Sequence, residues 1–131
     1  MKEFMMIFRN EKMDAAETPS AEQMQVVMQQ WQNWISEIAK KGNYSGTNRL
    51  NSEGKTLKPN NVITDGPYAE VKEVVGGYLI VKADSLEEAV EMAKSCPNLL
   101  YNGNVEVRSV MPIEYDPTSK DFLDLKVKQD L

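Results

Sequence analysis

The arrangement of apolar and polar residues predicts a sheet and two helices. Residues 4–8 (FMMIF) are apolar at every position, which is typical of a strand buried on both faces inside a sheet. Between residues 24 and 38, apolar side chains recur at steps of three and four, so one long amphipathic helix is predicted there. Alternation at 74–83 and 104–111 predicts two further strands, and residues 86–93 between them predict a short helix with a narrow apolar face.

The long helix has two candidate starting points. Thr18 can cap it, or Ser20 can form a capping box with Gln23. We expect the helix to end near Lys41, because a basic last turn followed by Gly42 is a common stop signal.

A hairpin is predicted after the long helix. Segments 44–50 and 55–57 flank residues 51–54 (NSEG), which are turn formers, so we expect these segments to pair as the two arms of the hairpin. Residues 60–61 (NN) mark a further turn, after which a short strand resumes at 62–64.

The order of these elements predicts an α+β fold. Strand, helix, hairpin, strand, helix and strand correspond to a ferredoxin-like split βαβ unit with an inserted hairpin. Both helices would cover one face of the sheet, which leaves Tyr78, Ile80 and part of the first strand on the other. Large apolar patches rarely stay exposed, and a second copy of the same sheet is the simplest cover. We therefore expect a homodimer that forms a dimeric α/β barrel.

Composition limits the class of protein. The length of 131 residues suits one domain, predicted at 1–113 with a C-terminal extension at 114–131. No apolar run is long enough for a membrane span and no signal-peptide pattern is present, so a cytoplasmic location without membrane contact is expected. A net charge of −5 without clustered Lys and Arg argues against nucleic-acid binding.

The residue types present also limit the chemistry. The chain has no histidine and a single cysteine, which excludes internal Ser-His-Asp or Cys-His mechanisms and zinc-thiolate sites. Cys96, directly before Pro97, is interpreted as a buried packing residue. Asp65, Glu70 and Glu73 match no familiar hard-cation spacing, so neither a metal nor another cofactor is predicted.

The least ordinary stretch is Asp65-Gly66-Pro67-Tyr68. An aspartate before a turn usually accepts a hydrogen bond from the N–H two residues on, but Pro67 has no N–H to donate. The N–H of Tyr68 still offers a local bond, so two readings stay open: Asp65 shapes the turn, or its carboxylate is functional. In the functional reading Asp65 is the general acid/base of a pocket.

Three further residues are candidates for binding a substrate beside Asp65. Arg108 would orient an anionic group, and Tyr68 or Glu106 would assist. The alternative for Arg108 and Glu106 is a cross-strand ion pair on the last strand. Arg49, in the first arm of the predicted hairpin, is interpreted as a solvated edge charge.

The same residues carry a family resemblance. Residues 65–97 (DGPYAEVKEVVGGYLIVKADSLEEAVEMAKSCP) and 103–110 (GNVEVRSV) resemble the DGPF-domain branch of the YCII-related proteins. That pattern is roughly DGPF-x-E-x-KE-x-x-GG, then a strand, a helix ending at Pro and a G-x-x-EVRP segment. Here Tyr68 replaces the usual Phe and Ser109 stands where Pro is frequent. The resemblance covers residues 1–113 and implies a ferredoxin-like protomer in a dimeric α/β barrel.

The resemblance implies two kinds of role. Some YCII-related enzymes carry out dehydrochlorination or lactone-type chemistry with a His–Asp pair, of which this chain retains only the aspartate, as Asp65. Other relatives are fused to sigma factors or encoded beside them. Our main hypothesis is therefore a carboxylate-centred pocket for a small anionic or aromatic ligand, acting as a binding site or an acid/base enzyme. The alternative is a non-catalytic dimerisation or regulatory module associated with transcription.

Overall fold

The elements follow one another in the order predicted for a ferredoxin-like protomer. The computed structural model describes residues 1–11, 19–66, 73–114 and 126–127. The elements are β1 (Lys2–Glu11), α1 (Ala21–Lys40), β2 (Tyr44–Arg49), β3 (Lys55–Lys58), β4 (Val62–Asp65), β5 (Glu73–Ala83), α2 (Leu86–Ala93), a 3₁₀ helix (Pro97–Leu100), β6 (Gly103–Ser109), β7 (Ile113–Glu114) and β8 (Lys126–Val127). Four strands form an antiparallel sheet in the order β2-β5-β1-β6. This is the α+β arrangement of a split βαβ unit.

The first strand is central, as its continuous apolar run predicts. β1 pairs with β5 on one side and with β6 on the other. Phe4, Met6 and Phe8 are buried on the face that carries the helices. Met5 and Ile7 point to the opposite face and are half-buried. A central strand is often apolar on both of its faces, because the side chains of the strands on either side help to cover each face.

The core lies between the helices and one face of the sheet. Its buried residues are Phe4, Met6, Phe8, Trp34, Ile38, Leu79, Val81, Ala83, Ala89, Ala93 and Cys96. Phe8 meets Trp31 and Trp34 edge to face, with ring centroids 4.9 and 5.9 Å apart. The indole N–H of Trp34 donates to the carbonyl of Met92 at 3.0 Å, which joins α1 to the end of α2. The tryptophan stripe of α1 is thus part of the core.

The other sheet face carries neither of the two helices, and we call it the open face. Its centre is formed by half-buried apolar side chains from the two inner strands, Met5, Ile7, Tyr78 and Ile80. Tyr78 is fixed there by a 2.7 Å hydrogen bond from the amide of Asn48 to its hydroxyl. This confirms the predicted apolar second face.

Local signals set the boundaries of α1 correctly. Ser20 is the N-cap, and its hydroxyl accepts from the backbone N–H of Gln23 at 3.2 Å. The Gln23 side chain accepts from the Ser20 N–H at 2.8 Å, which completes the capping box. Of the two candidate starts, the structure selects Ser20; Thr18 lies outside the described residues.

The hairpin predicted around residues 51–54 is wrong. β2 pairs with β5 in the main sheet, whereas β3 pairs with β4 in a separate two-stranded sheet. The hairpin turn lies instead at 59–61, where Asn60 and Asn61 have φ of 67° and 61°. Asparagine tolerates this left-handed backbone better than most residues. Residues 51–54 lead the chain away from the main sheet, and the Gly66 N–H donates to the Gly54 carbonyl at 2.6 Å, closing the base of the hairpin.

The glycine pair of β5, Gly76 and Gly77, forms a β-bulge and allows β2 to approach closely, which are the two features that glycines in a strand often mark. Phe8 pairs with Gly77 and Arg9 with Val75, so Gly76 is the extra residue of a bulge. At Gly77 a Cβ atom would lie 2.8 Å from the carbonyl oxygen of Asn48, so β2 packs too closely for a side chain. Strict alternation along 74–83 predicts that Val75 shares a face with Leu79 and Val81. The bulge makes Val75 pair with Arg9 instead, so the exposed Val75 does not extend that buried row and the prediction is wrong at this residue.

A buried asparagine ties the 3₁₀ helix to two strands. The Asn98 side-chain amide donates to the carbonyl of Arg9 at 3.1 Å and to that of Asn104 at 2.8 Å. Its oxygen accepts from the Asn10 side chain at 2.9 Å. All three bonds pass close to Gly103, whose missing side chain leaves room for the Asn98 amide. Asn98 thus bridges β1 and β6 at the end of their ladder and satisfies two of its backbone carbonyls.

Cys96 is confirmed as a packing residue, and its reactivity should reflect this. Burial raises the pKa of the Cys96 thiol from 9.0 to about 12, a difference of three pH units that corresponds to a thousandfold lower thiolate fraction near neutral pH. Because only the thiolate is nucleophilic, we expect iodoacetamide at about pH 8 to alkylate the native protein at least about 100-fold more slowly than the protein in guanidinium chloride.

A Ser36→Cys substitution in a Cys96→Ala background provides the control for alkylation. Ser36 is exposed on α1, so its thiol should react at the same rate with or without denaturant. Equal alkylation rates for native and denatured wild-type protein would contradict the buried thiol.

Candidate functional site

A cleft of about 660 Å³ lies at one end of the main sheet. It is bounded by the ends of β1 and β2, the beginning of β5 and the base of the β3–β4 hairpin. Pockets that hold small molecules are typically about 300–1,000 Å³ in volume, so this cleft has the size of a ligand site. The Gly76 bulge lies next to it, because β5 shifts its pairing with β1 there.

Three cations line the cleft, each from a different strand. Arg9 is committed to a neighbour, because its guanidinium donates to Glu106 at 2.6 Å. Lys55 donates to Asp65 at 2.7 Å from the first residue of β3. Arg49, the last residue of β2, has no ion-pair partner among the described residues. Within the described part of the chain, Arg49 is therefore the guanidinium of the cleft that has no ion-pair partner.

The rest of the lining combines carboxylates with an apolar strip. Glu53 and Glu73 contribute negative charge, and Glu73 accepts a long hydrogen bond of 3.4 Å from the Asn104 amide. The apolar strip consists of Leu50 from the β2 end and Val74 and Val75 from β5. Among the described residues, the lining thus combines three cations and two carboxylates with a small apolar surface.

Asp65 lies at the end of β4, directly across from Lys55 in the hairpin. Its side chain is 96% exposed, and its one described partner is the Lys55 amine. Asp65 is not among the described residues that line the cleft, but its partner Lys55 is. Both readings of Asp65 are compatible with this position: it closes the hairpin, and it sits one side chain from the cleft.

The other predicted site residues are placed as follows. The Glu106 carboxylate forms an ion pair with Arg9 of the adjacent strand β1, so its close partner is Arg9 and not Arg108. Arg108 Nε lies 3.7 Å from the second oxygen of Glu106, and the Arg108 side chain is 70% exposed. Arg9, Glu106 and Arg108 thus form a charged row beside the open face. Tyr68 lies outside the described residues.

Sequence analysis assigned no site role to the three described cations that line the cleft, Arg9, Arg49 and Lys55. Arg49 reads as an ordinary edge charge, and Lys55 as part of a short strand. No sequence signal marks Arg49, because its position opposite Gly77 depends on the pairing of β2 with β5. Asp65 and Glu106, which the sequence analysis singled out as candidates, each lie beside a cation that lines the cleft.

The described residues show neither a metal-binding cluster nor a membrane-spanning helix. Among residues 1–11, 19–66 and 73–114, no group of three or more Cys, Asp or Glu is arranged to hold a metal ion. Neither of the described α-helices is long and apolar enough to cross a membrane.

Comparison with known proteins identifies the family. A sequence comparison with curated proteins finds no match. Residues 4–114, however, match the YCII-related domain. The matched region runs from β1 to β7, and it contains both helices, the main sheet, the hairpin and every residue that lines the cleft. The chain therefore belongs to the family of proteins with a YCII-related domain.

Proposed function

We propose that this protein is a homodimer of the DGPF branch that binds a small molecule in the cleft and uses Asp65 for acid/base chemistry on it. The observation that carries the proposal is the cleft itself, which has the volume of a ligand site and a Lys55–Asp65 pair at its edge. A ligand that contacts Lys55 would lie within one side chain of the Asp65 carboxylate.

The open face supports the dimer. Met5 pairs with Ile80 and Ile7 with Tyr78, so four large side chains form one continuous apolar surface. Charged groups border it, including Glu3 and Lys82 at one end and Glu106 and Arg108 along β6. An apolar centre with a polar rim is the usual anatomy of a protein interface. A two-fold axis would bring two such faces together and bury both.

Acid/base chemistry by Asp65 also requires that its carboxylate be shielded from water. A carboxylate serves as an effective base at neutral pH when it is shielded from water. Because the Asp65 side chain is 96% exposed in the protomer, this shielding has to come from the ligand or the second copy. Ligand binding is thus the part that the geometry supports most directly.

The exposure of Asp65 favours one second candidate, a non-catalytic dimerisation or regulatory module. In that case Asp65 only pairs with Lys55 to hold the hairpin, and the open face is the functional surface. The two candidates differ in what the substitution Asp65→Asn changes.

Native mass spectrometry of untagged protein tests the proposal. We expect a dimer that retains additional mass from a bound small molecule, and we expect Asp65→Asn to remain dimeric while losing that mass. Asp84→Asn is the matched control, because Asp84 is an exposed aspartate outside the cleft. Bare dimers throughout, with Asp65→Asn altered only in stability, would favour the regulatory module. A wild-type monomer would contradict the dimer.

A further inference from the structure

We infer that the ligand of the cleft is a small monocarboxylic acid with an apolar body, and that Arg49 binds its carboxylate. This inference rests on the proposed function, since it assigns a chemical class to the ligand of the same cleft. It places the anion on Arg49 and not on Arg108, the residue to which the sequence pattern assigns it.

The availability of Arg49 is the first step. Arg9 already donates to Glu106 at 2.6 Å, so a ligand would have to compete with a close ion pair for it. Arg49 has no carboxylate partner among the described residues, and its cross-strand neighbour is Gly77, which has no side chain to cover it. A guanidinium presents two parallel N–H groups that match the two oxygens of a carboxylate.

Lys55 supplies a further positive charge to the lining of the cleft. Its side chain is 64% exposed, and its partner Asp65 is more exposed still. Ion pairs this open to water contribute little, so a ligand carboxylate can replace Asp65 as the partner of Lys55. The exchange would free the Asp65 carboxylate beside the bound ligand.

The carboxylates of the lining limit the charge of the ligand. Glu53 and Glu73 stand in the same cleft and would repel an anion that carries several charges. Arg9 and Lys55 are already paired with Glu106 and Asp65, so Arg49 is the lining cation without a carboxylate partner among the described residues, which suits a ligand with a single negative charge. This excludes nucleotides and other polyphosphates as the favoured class.

The apolar strip accounts for the rest of the ligand. Leu50 is 48% exposed and Val75 is 37% exposed, and both line the cleft together with Val74. A ligand body that covered these side chains would remove apolar surface from water. The lining cations thus suit a carboxylate, and the apolar strip suits an aliphatic or aromatic body attached to it.

Titration of the full-length protein with three probes, followed by NMR, tests the inference. Benzoate supplies the carboxylate and ring, benzamide is its neutral isostere, and inorganic diphosphate is the multiply charged anion. We expect benzoate to shift the resonances of Leu50 and Val75, and to bind at least about tenfold more tightly than benzamide or diphosphate.

Substitutions then locate the anion. We expect Arg49→Gln to weaken benzoate binding at least about tenfold, because it removes a charge-assisted bidentate contact. Lys40→Gln removes a cation outside the cleft and should leave the benzoate affinity unchanged. Loss of binding with Arg108→Gln but not with Arg49→Gln would overturn the assignment to Arg49.

The outcomes separate this inference from the proposed function. If benzamide shifts the cleft resonances as strongly as benzoate, or Arg49→Gln binds benzoate like wild type, the ligand class is wrong while the cleft remains a binding site. If none of the probes shifts the cleft resonances, both the inference and the proposed ligand site fail.

Discussion

Replacing Gly103 by alanine is expected to lower the free energy of unfolding by about 2–4 kcal/mol, although the substitution adds only one methyl group. A Cβ atom at this position would lie 2.7 Å from both Asn98 Cγ and the Asn10 side-chain amide nitrogen. Asn98 is 5% exposed and is held by three hydrogen bonds, so it cannot yield without breaking them. The buried groups that lose their partners are the main source of the cost.

Gly76→Ala is the matched control for Gly103→Ala. The nearest atom to a Cβ at Gly76 is the Asn10 side-chain oxygen at 3.6 Å, which is ordinary contact. We expect Gly76→Ala to change stability by about 1 kcal/mol or less. Urea unfolding at one fixed protein concentration, followed by tryptophan fluorescence, measures both variants.

A double-mutant cycle identifies the cause of the loss. If the clash with Asn98 is responsible, Gly103→Ala should cost much less in an Asn98→Ala background than in the wild type. A full-sized loss in both backgrounds would show that Asn98 is not the obstacle.

Replacing Ile80 by glutamate is expected to raise the dimer dissociation constant by about 100-fold or more, because it buries a charge without a partner. Ile80 pairs with Met5 at the centre of the open face, which the proposed dimer covers. The protomer itself should keep its fold, since the Ile80 side chain points away from the core between helices and sheet.

Val26→Glu is the matched control for the dimer. It makes a similar aliphatic-to-carboxylate change at a position on α1 that is exposed and away from the open face. Sedimentation equilibrium of wild type and both variants gives the dissociation constants, and circular dichroism checks the fold. An Ile80→Glu variant as dimeric as wild type would mean that the open face is not the interface.

Features that depend on residues close together along the chain could be predicted from the sequence. The central position of β1 follows from its apolar run, and the start of α1 at Ser20 follows from a capping box with Gln23 that acts over three residues. The sequence also contained the bulge, because Gly76 and Gly77 interrupt an otherwise apolar strand.

Features that depend on strand partners could not be predicted in this way. Residues 51–54 resemble a hairpin turn, but the pairing of β2 with β5 is decided by the packing of the whole sheet, so the chain leaves the sheet there. The role of Asn98 was missed for the same reason, since two of its three partners, Arg9 and Asn10, lie almost 90 residues away.

The charged residues illustrate this limit most clearly. Glu106 and Arg108 are neighbours on one strand face, which suggests that they pair with each other, yet Arg9 of the adjacent strand comes closer to Glu106. Arg49 shows the reverse case, because only the three-dimensional arrangement reveals that it lacks a partner among the described residues. Sequence alone identifies which charges exist, whereas pairing decides which of them remain available.

The closed base of the β3–β4 hairpin has a consequence for how such proteins diversify. The chain leaves and returns at Gly54 and Gly66, which are joined by a backbone hydrogen bond, and the hairpin shares no ladder with the main sheet. Replacing residues 55–65 by the corresponding segment of a relative would exchange the Lys55 wall of the cleft while leaving every core residue in place. If the cleft binds the proposed ligand, its ligand preference could therefore be changed, by evolution or by grafting, almost independently of the stability of the domain.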